Sequence, residues 1–477
     1  TLLATAAILV PTAPAAAQVA ATAIYDLPAQ ELETSLRAVA RTSGQQIIIA
    51  SSAVEGRTAP ALKGQFTVEE AVRSLLAGAP VRMQIKPDAI LIGDSEPASA
   101  ADKAVSEGEA ITVTGSRIKG AVTASPEIRI DHQEIMRAGY SDMGEALRAL
   151  PQNFGGGQNP GLGIGALGGG ITNQNVTGGS AVNLRGLGPD ATLTLLNGHR
   201  LSFGGLAQGV DISTIPTDVV DRVEVVPDGA SALYGSDAVA GVVNVVLRQS
   251  LDGLSLRTRL GSSTDGGGFS QQYQAALGQQ WDGGHVLATY SYRRDSQLKA
   301  IDRSYTASLG EIYPLIPGQS DHSALLSASQ DIAGGGEMSI DATFNKRYFS
   351  RDFLTFGVLQ LSDVRDQTYA IAPTLSLPIG PAWKLSTSGV YAKTKTNITA
   401  SQYLGAILLG SDSACYCHSL FGIETFAEGP LLAIPGGTIR AVLGGGYRSN
   451  KLELIGRASK RGGSEKDRYA FGELSIP

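Results

Sequence analysis

The most reactive side chains in this sequence form one short cluster, Cys415-Tyr416-Cys417-His418. Two thiolates and an imidazole are ligands that Zn²⁺ accepts, so metal binding is one interpretation of the cluster. Two cysteines separated by one residue rarely meet disulfide geometry, so we expect each to be unpaired or to pair elsewhere. No two of the five histidines have the helical spacing of a ligand pair: His132, His199, His285, His322 and His418. We predict no metal site.

Two glycine-rich segments could carry nucleotide or nucleophile chemistry. Gly163 to Gly168 matches G-x-G-x-x-G, but no predicted strand precedes it and no predicted helix follows, as a dinucleotide site requires. Gly229 to Leu233 lacks the final glycine of a nucleophile elbow. Because no constellation of catalytic groups remains, we predict that the protein is not an enzyme and holds no cofactor.

Composition excludes other classes of protein. Lys and Arg number 38 against 44 Asp and Glu, a net charge of -6, so the chain has no basic excess for binding nucleic acid. The 59 glycines follow no G-X-Y period and favour turn-rich β structure. No run of about 18 apolar residues follows the N-terminus, so any predicted membrane crossing uses strands.

The first 17 residues are typical of the remains of a secretory signal. Leu2 to Val10 is a short apolar core, and Ala15 to Ala17 offers an A-x-A cleavage site. An embedded apolar helix is the alternative, but the segment is too short to span a membrane. Since the initiator Met and basic region are missing, we expect the chain to be cut at its start. The signal itself predicts that the protein is exported.

A small domain is predicted over residues 24–93. A helical face (Leu32, Leu36, Val39, Ala40) ends at Gly44, and the capping box Thr67-Val68-Glu69-Glu70 opens a second helix that ends at Gly78. Strands are predicted at Ile47 to Ile49, Val81 to Ile85 and Ala89 to Ile92, with a turn at Pro87-Asp88. The domain thus consists of two predicted β-α-β units.

Residues 94–108 are rich in Ala, Ser and Glu and read as a flexible linker. The linker leads into 109–115, a segment of alternating apolar and polar residues comprising Glu109, Ala110, Ile111, Thr112, Val113, Thr114 and Gly115. Such a segment suits an isolated strand that joins the sheet edge of another protein through main-chain hydrogen bonds.

Residues 116–248 have the pattern of a mixed α and β domain. Asn197-Gly198 between apolar runs predicts a two-residue hairpin turn, while Val223 and Val225 and the run from Val242 to Val246 predict strands. Asp131 with Glu134, and Ser141 before Ala146-Leu147, predict two short helices, the second stopped by Pro151.

The strings LRGLG, LLNG, RVEVV and GASALYGSDAVAGVVNVVLR occur in this order between residues 184 and 248. They resemble the plug domain of TonB-dependent outer-membrane receptors. The resemblance implies that Arg185 and Glu224 lie in the plug core and make charge contacts with a barrel wall. It assigns twelve positions to the plug core: Leu184, Arg185, Gly186, Asn197, Gly198, Val223, Glu224, Gly229, Tyr234, Gly235, Gly241 and Asn244.

Two other segments also resemble parts of this family. YDLPAQELETSL and LKGQFTVEEAVRSLLAG are similar to the secretin/TonB short N-terminal domain of transducer-type receptors. That domain faces the periplasm and contacts an inner-membrane anti-sigma regulator, so the resemblance implies signalling, with a mere spacer as the alternative. Glu109 to Thr114 looks like a TonB box, the strand that pairs with TonB, which works with ExbB and ExbD.

Beyond Arg248 the sequence alternates as strands do. Leu254, Leu256 and Leu260 oppose polar neighbours, and the same holds for 323–329 and 338–345. Short turns at 281–284, 331–336 and 378–381 are interleaved with long segments at 295–321, 347–366 and 396–436, which we interpret as external loops. A soluble β-sandwich is the alternative. Four residues fit an aromatic girdle: Tyr290, Tyr292, Trp383 and Tyr391.

About nine strands are predicted between residues 249 and 477, whereas plugged outer-membrane transporters have about 22. We therefore expect the chain to carry the front part of a barrel. The predicted fold class is an α+β periplasmic domain and an α+β plug, followed by an antiparallel transmembrane β-barrel that is incomplete in this chain.

The resemblance implies an outer-membrane importer that takes up a scarce small molecule, most often an iron-siderophore complex, using inner-membrane proton-motive force. Carbohydrates, cobalamin and aromatic compounds are alternative solutes, and a sensor that signals without transport is an alternative function. Outer-membrane lipid is an expected partner.

Overall fold

The computed structural model describes residues 22–43, 46–49, 58–76, 81–85, 89–94, 116–118, 126–156, 175–205, 208–355, 357–435, 437–457 and 459–477. The chain forms two compact units, Thr1–Glu109 and Ala110–Pro477. The predicted signal remnant, the linker, the Pro87-Asp88 turn, the segment from Glu109 to Gly115 and the motif from Gly163 to Gly168 lie outside the described residues. Among the residues that are described, no helix is long and apolar enough to cross a membrane.

The first unit contains both predicted helices and all three predicted strands. The helices are α1 (Leu32–Ser43) and α2 (Val68–Leu75). The three strands form one sheet, in which β7 (Ala89–Asp94) lies between β3 (Gln46–Ile49), its parallel neighbour, and β6 (Val81–Ile85), its antiparallel neighbour. Four further strands make separate pairs: β1 (Thr22–Leu27) with β5 (Leu62–Thr67), and β2 (Gln30–Glu31) with β4 (Thr58–Ala59). The described strands of this unit are therefore divided among three sheets, and the expectation of two simple β-α-β units is wrong.

The helices of this unit pack through the predicted apolar faces. Leu36 and Val39 of α1 are fully buried and lie in one cluster with Val72 and Leu75 of α2. The predicted capping box is present, because the Thr67 side chain accepts from the Glu70 amide and the Glu70 carboxylate accepts from the Thr67 amide. The second helix ends at Leu75, three residues before the predicted end.

The plug forms a five-stranded mixed sheet in the order β10 (His199–Arg200), β9 (Thr192–Leu196), β12 (Gly241–Leu247), β11 (Val220–Val226) and β8 (Ile128–Asp131). The valine-rich strand β12 is central, parallel to β9 and antiparallel to β11. Val242, Val243 and Val245 of β12 and the valines of β11 are fully buried, which indicates that both faces of the sheet are covered here.

Three short α-helices accompany the plug sheet in the described part of the plug: α3 (His132–Ala138), α4 (Met143–Arg148) and α5 (Ser231–Tyr234). The prediction of two helices before Pro151 is confirmed, but their caps differ from those expected. Asp131 makes no side-chain cap and pairs with Arg129 instead, at 2.7 Å. The N-cap of α4 is Asp142 rather than the predicted Ser141. The Asp142 side chain accepts a hydrogen bond from the Glu145 amide at 2.9 Å.

The largest element is a ten-stranded antiparallel sheet in which strands pair in chain order. Its strands are β13 (Gly253–Gly261), β14 (Ser270–Trp281), β15 (Gly284–Asp295), β18 (Gln319–Ile332), β19 (Gly336–Thr355), β20 (Val358–Ile379), β21 (Trp383–Leu404), β22 (Ile407–Ile434), β23 (Gly437–Gly456) and β24 (Lys460–Ser475). One more strand is present than the nine predicted. Strands β16 (Leu298–Lys299) and β17 (Pro314–Ile316) form a separate pair between β15 and β18.

The predicted alternation is confirmed along these strands. Leu254, Leu256 and Leu260 are exposed on one face, whereas Asp341 and Asn345 are buried on the other. The predicted short turns are also present, since β14, β18 and β20 each turn back within a few residues. Apolar side chains therefore cover the outward face of the sheet, and polar side chains face the plug.

Two of the three predicted long loops are wrong. In the first of these segments, predicted at 347–366, β19 continues to Thr355 and β20 begins at Val358. In the second, predicted at 396–436, β21 continues to Leu404 and β22 spans Ile407–Ile434. The ladder continues through both segments although the apolar alternation fades. A strand that has passed the apolar band has water on its outward face and needs no apolar residue there. The third segment, after Asp295, is a long connection as predicted.

Candidate functional site: the interface between plug and sheet

Most of the predicted plug-core residues surround the central strands of the plug. Leu184, Val223, Glu224 and Asn244 are fully buried, and Gly241 is buried beside them. Gly229, Tyr234 and Gly235 lie in the connection from β11 to β12, around α5, where Gly229 is exposed and the other two are half-buried. The sequence thus located the core of the plug and one loop that leaves it.

Gly241 is a position where only glycine fits. Its φ is 142°, and a Cβ there would meet the carbonyl oxygen of Val226 and lie 2.7 Å from the Cδ1 of Leu184. The backbone of β12 therefore passes directly against β11 and the Leu184 side chain, a close approach that a larger residue prevents.

The Asn197-Gly198 turn is confirmed, with φ of 49° and 81° and Leu196 paired with His199 across it. Asn197 accepts a hydrogen bond from the Leu247 amide at 2.9 Å, and Gly198 donates to the Asn244 side chain at 2.9 Å. The Asn197 amide group also donates to Asp341 of β19 at 2.9 Å. One asparagine therefore connects the hairpin both to the plug sheet and to the ten-stranded sheet, whose inward face we call the wall.

The two predicted charged residues differ in their surroundings. Glu224 is buried in the plug core as expected, and it accepts from Arg222 at 2.8 Å and from Asn244 at 3.4 Å, both residues of the plug. Arg185 and its neighbour Gly186 are exposed rather than in the core, and Arg185 pairs with Asp228 at 3.0 Å on the plug surface. The Gly229 amide and Arg185 together hold the pKa of the Asp228 carboxyl below its usual range.

Four arginines of the large sheet reach inward and bind four aspartates of the plug. Arg257 binds Asp218 at 2.6 Å, Arg347 binds Asp211 at 2.6 Å and Arg448 binds Asp237 at 3.1 Å. The fourth pair is Arg293 with Asp142. Sequence reasoning missed all four, because an isolated arginine in a strand gives no sign of a partner that is distant in the chain, here between 39 and 211 residues away.

Asp142 links the helix cap of α4 to this interface. Burial alone would raise the pKa of its carboxyl, but Arg293, the Glu145 amide and Arg148 outweigh burial and hold the pKa below the usual range. The carboxylate is therefore charged at neutral pH. Loss of its charge would weaken both the helix cap and the contact with the wall.

Residues Ser116 to Ile118, directly after the predicted TonB box, are fixed against the wall. The Ser116 hydroxyl and the Arg117 amide donate to the Glu473 carboxylate at 2.5 Å and 2.8 Å. The Arg117 guanidinium donates to Glu424, with one N–O distance of 3.1 Å, and lies 4.2 Å from the centroid of the Phe471 ring. A charge pair and a cation–π contact thus hold the chain where it enters the plug.

Cys415 and Cys417 form a disulfide bond with each other, so our expectation that they do not pair is wrong. An extended strand places residues i and i+2 on one face, and here the two Cα atoms are 5.6 Å apart, within the range that a disulfide bridges. Their sulfurs are therefore not free to hold a metal. Within the described parts of the chain, no group of three or more His, Cys, Asp or Glu could hold a metal ion.

A plug domain held by ion pairs inside an antiparallel sheet defines the class of this protein. Residues 118–242 match the family model "TonB-dependent Receptor Plug Domain", and residues 45–95 match "Secretin and TonB N terminus short domain". The chain therefore carries the plug domain of the TonB-dependent receptors and the short N-terminal domain of the transducer type. Receptors of this family are outer-membrane proteins rather than enzymes, and their N-terminal domain is periplasmic.

Solved structures with a similar arrangement include three such receptors. FpvA of Pseudomonas aeruginosa, bound to heterologous pyoverdines, is 11% identical with a TM-score of 0.46, over 96% of this chain and 69% of that one. The ferric yersiniabactin receptor FyuA of Yersinia pestis is 12% identical with a TM-score of 0.48, over 73% and 61%. The ferric citrate transporter FecA is 14% identical with a TM-score of 0.49, over 74% and 60%.

Proposed function

We propose that this receptor imports a scarce solute across the outer membrane and that TonB, working with ExbB and ExbD, supplies the energy by pulling on residues 109–114. The observation that carries the proposal is the interface described above. The plug is attached to the strands by separate arginine and aspartate pairs, of which those of Arg257, Arg293 and Arg448 are partly open to water. Such pairs can exchange partners with water, so a pull can detach the plug stepwise while the sheet stays intact.

The direction of the pull is supported by the position of Ser116 to Ile118. This segment is the first described part of the second unit, and its contacts with Glu424 and Glu473 are the first attachments that tension on the preceding strand would load. Breaking them would transfer tension to the plug itself. The charge pair with Glu424 has side-chain exposures of 15% and 18%, similar to those of the pairs that attach the plug, so it too can open under a pull.

The substitution Val113→Pro tests the coupling. Proline removes a main-chain N–H from the strand that would pair with TonB, so we expect uptake to be abolished while ligand binding at the cell surface is retained. Val113→Ala keeps the N–H and is the matched control, with uptake close to that of the unchanged receptor. Uptake by the proline variant at the normal rate would disprove the assignment of the TonB box.

We further propose that the N-terminal domain signals the loaded state of the receptor to an inner-membrane anti-sigma regulator. This proposal is supported by the family match over residues 45–95 and by the separate compact unit that contains it. Deleting residues 24–93 should leave uptake unchanged and remove ligand-dependent transcription of the receptor's operon. Loss of both activities, or of neither, would contradict this division of functions.

For the solute we propose an iron-siderophore complex, supported only by the prevalence of such ligands in the family. Carbohydrates, cobalamin and aromatic compounds remain the alternatives. Uptake of radioactive iron supplied as a panel of ferric siderophores, by cells that lack other receptors, tests the proposal. Growth on a carbohydrate or aromatic carbon source that depends on the receptor, without iron uptake, would refute it.

A further inference from the structure

One cluster of charges on the large sheet is not used by the plug. Lys346 of β19, Arg365 of β20, and Lys393 and Lys395 of β21 form it, and we refer to these four residues as the basic patch. The pairing register aligns Lys346 with Gln367 and Gln367 with Lys395, so the two lysines flank one glutamine across three strands. Arg365 and Lys393 are each two residues away from this row on their own strands, and therefore on the same face.

The basic patch faces away from the plug. Its neighbours one residue along the same strands, Arg347, Asp366 and Thr394, are buried on the inward face, with exposures of 2%, 3% and 2%. Successive residues of a strand point to opposite faces, so the patch is on the outward face. Lys346, Arg365 and Lys395 are exposed there and Lys393 is half-buried. A solute that passes through the interior of the receptor cannot reach these side chains.

The height of the basic patch matches the far edge of the membrane. Lys346 is ten residues beyond Gly336, where β19 leaves its short turn, and Lys395 is twelve residues beyond Trp383, where β21 begins. At ~3.3 Å per residue and a tilt of ~40°, ten to twelve residues rise about 25 to 30 Å. The apolar band of an outer-membrane protein is about 25 Å tall, and short turns face the periplasm. The patch therefore lies at the level of the outer-leaflet headgroups.

The side chains directly below the patch support this placement. Phe344 pairs with Tyr369, which pairs in turn with Lys393 of the patch, and Ile371 pairs with Tyr391 in the row below. Phe344, Tyr369, Ile371 and Tyr391 are all exposed on the outward face. Aromatic residues of this kind border the apolar band at the membrane interface. The positive charges therefore begin in this aromatic row, at Lys393, and continue beyond the apolar surface.

The positive charges of the patch are not neutralised by carboxylates of the described residues. Among the described residues, none of its four side chains forms an ion pair. Asp363 lies two residues before Arg365 in the chain, and Glu453 of β23 already binds Lys451 at 3.1 Å and Lys460 at 2.8 Å. Tyr348 instead supports the cations through its ring, with the Lys346 ammonium 4.9 Å and the Arg365 guanidinium 5.9 Å from its centroid.

From this geometry we propose that the basic patch binds the phosphate groups of a phosphorylated lipid in the outer leaflet. Lysine ammonium and arginine guanidinium groups are the side chains that bind phosphate, through charge-assisted hydrogen bonds. The acyl chains of the same lipid would cover the aromatic and aliphatic row below the patch. The site is separate from the import function and would fix the depth and orientation of the receptor in the membrane.

The test compares two triple variants of the intact receptor with equal charge changes. The patch variant carries Lys346→Gln, Lys393→Gln and Lys395→Gln, and the control carries Lys63→Gln, Lys384→Gln and Lys460→Gln. Each receptor is placed in bilayer discs that contain either lipid A or only zwitterionic phosphatidylcholine, and bound lipid A is counted by native mass spectrometry after transfer to detergent. We expect the patch variant to retain about tenfold less lipid A and the control to retain as much as the unchanged receptor.

Two further measurements keep the result interpretable. A Lys→Arg version of the patch variant keeps the charges and should restore lipid A retention, which excludes a folding defect as the cause of the loss. Inorganic phosphate at millimolar concentration should not displace the lipid, because the proposed ligand includes the acyl chains. Equal lipid A retention by patch and control variants, or full displacement by inorganic phosphate, would overturn the proposal.

Discussion

The Arg347 guanidinium of β19 donates to the Asp211 carboxylate of the plug over 2.6 Å, and the arginine side chain is only 2% exposed. The same guanidinium also binds Asp321 of the neighbouring strand and donates to the Ser213 hydroxyl at 2.8 Å. One cation therefore holds two carboxylates from separate parts of the fold. Its burial makes it the most solvent-shielded of the four arginines that attach the plug.

Replacing Arg347 by Met should loosen the plug substantially. The change leaves Asp211 and Asp321 without their cation in a site from which water is largely excluded, and breaking a buried pair in this way costs about 3 to 5 kcal/mol. We expect the urea concentration at the midpoint of plug unfolding to fall. Protease cleavage within the plug is the measurement that detects this unfolding. Arg257→Met is the matched comparison, and its smaller effect is expected because Arg257 is 24% exposed. Equal effects of the two substitutions would show that burial of the arginine does not determine how much each ion pair stabilises the plug.

Acid should weaken the plug through Asp142. Its pKa in the folded state lies below the unfolded value, because Arg293, the Glu145 amide and Arg148 outweigh the effect of burial. The stability that its charge contributes is thus fully present above an unfolded pKa of about 3.9 and is lost as the pH falls through the folded pKa. Urea midpoints are measured between pH 3 and pH 7 for Asp142→Asn and for the unchanged receptor. The midpoint of the variant should decline less steeply at the acid end than that of the unchanged receptor. Parallel profiles would contradict this assignment.

Gly241→Ala tests the close approach of two plug strands. The added Cβ meets the Val226 carbonyl and the Leu184 side chain at a φ of 142°, so we expect a loss of about 3 kcal/mol or more in plug stability. Gly139→Ala is the control, because that glycine also has a positive φ, of 69°, but nothing lies within 4 Å of its added Cβ. Its cost should be near 1 kcal/mol. A Gly241 variant no less stable than the Gly139 variant would remove the steric explanation.

Sequence reasoning succeeded where neighbours in the chain determine the structure. The Asn197-Gly198 turn, the Thr67 capping box and the valine strand at 242–246 each depend on a few adjacent residues, and all three are present. It failed for the attachment of the plug, since Arg448 and Asp237 are brought together only by the tertiary fold. The pairing of β21 with β22 beyond Thr396 was also missed. Apolar alternation marks only the part of a strand that faces lipid, whereas the hydrogen bonds between strands continue beyond it.

The N-terminal unit should fold as an independent module stabilised by its capping box. Thr67→Val removes the hydroxyl that accepts from the Glu70 amide, and the loss of such a cap costs about 1 kcal/mol. In a fragment of residues 20–95 we expect a cooperative thermal transition with a lower Tm for this variant. Arg73→Ala removes only an exposed pair with Glu69 and should shift Tm very little. A fragment without a cooperative transition would refute the prediction.

The last prediction concerns Arg117 and the accessibility of the predicted TonB box. Arg117→Met removes the charge pair with Glu424 and the cation over the Phe471 ring, so the chain before Ser116 loses its main attachment to the wall. We expect a several-fold faster reaction of a thiol introduced by Thr114→Cys with a water-soluble maleimide. Background labelling should be low, because Cys415 and Cys417 are bonded to each other. Arg185→Met, which removes an exposed pair within the plug, is the control and should leave the rate unchanged. If Arg117→Met left the labelling rate at the level of this control, Arg117 would not be what restrains the coupling strand.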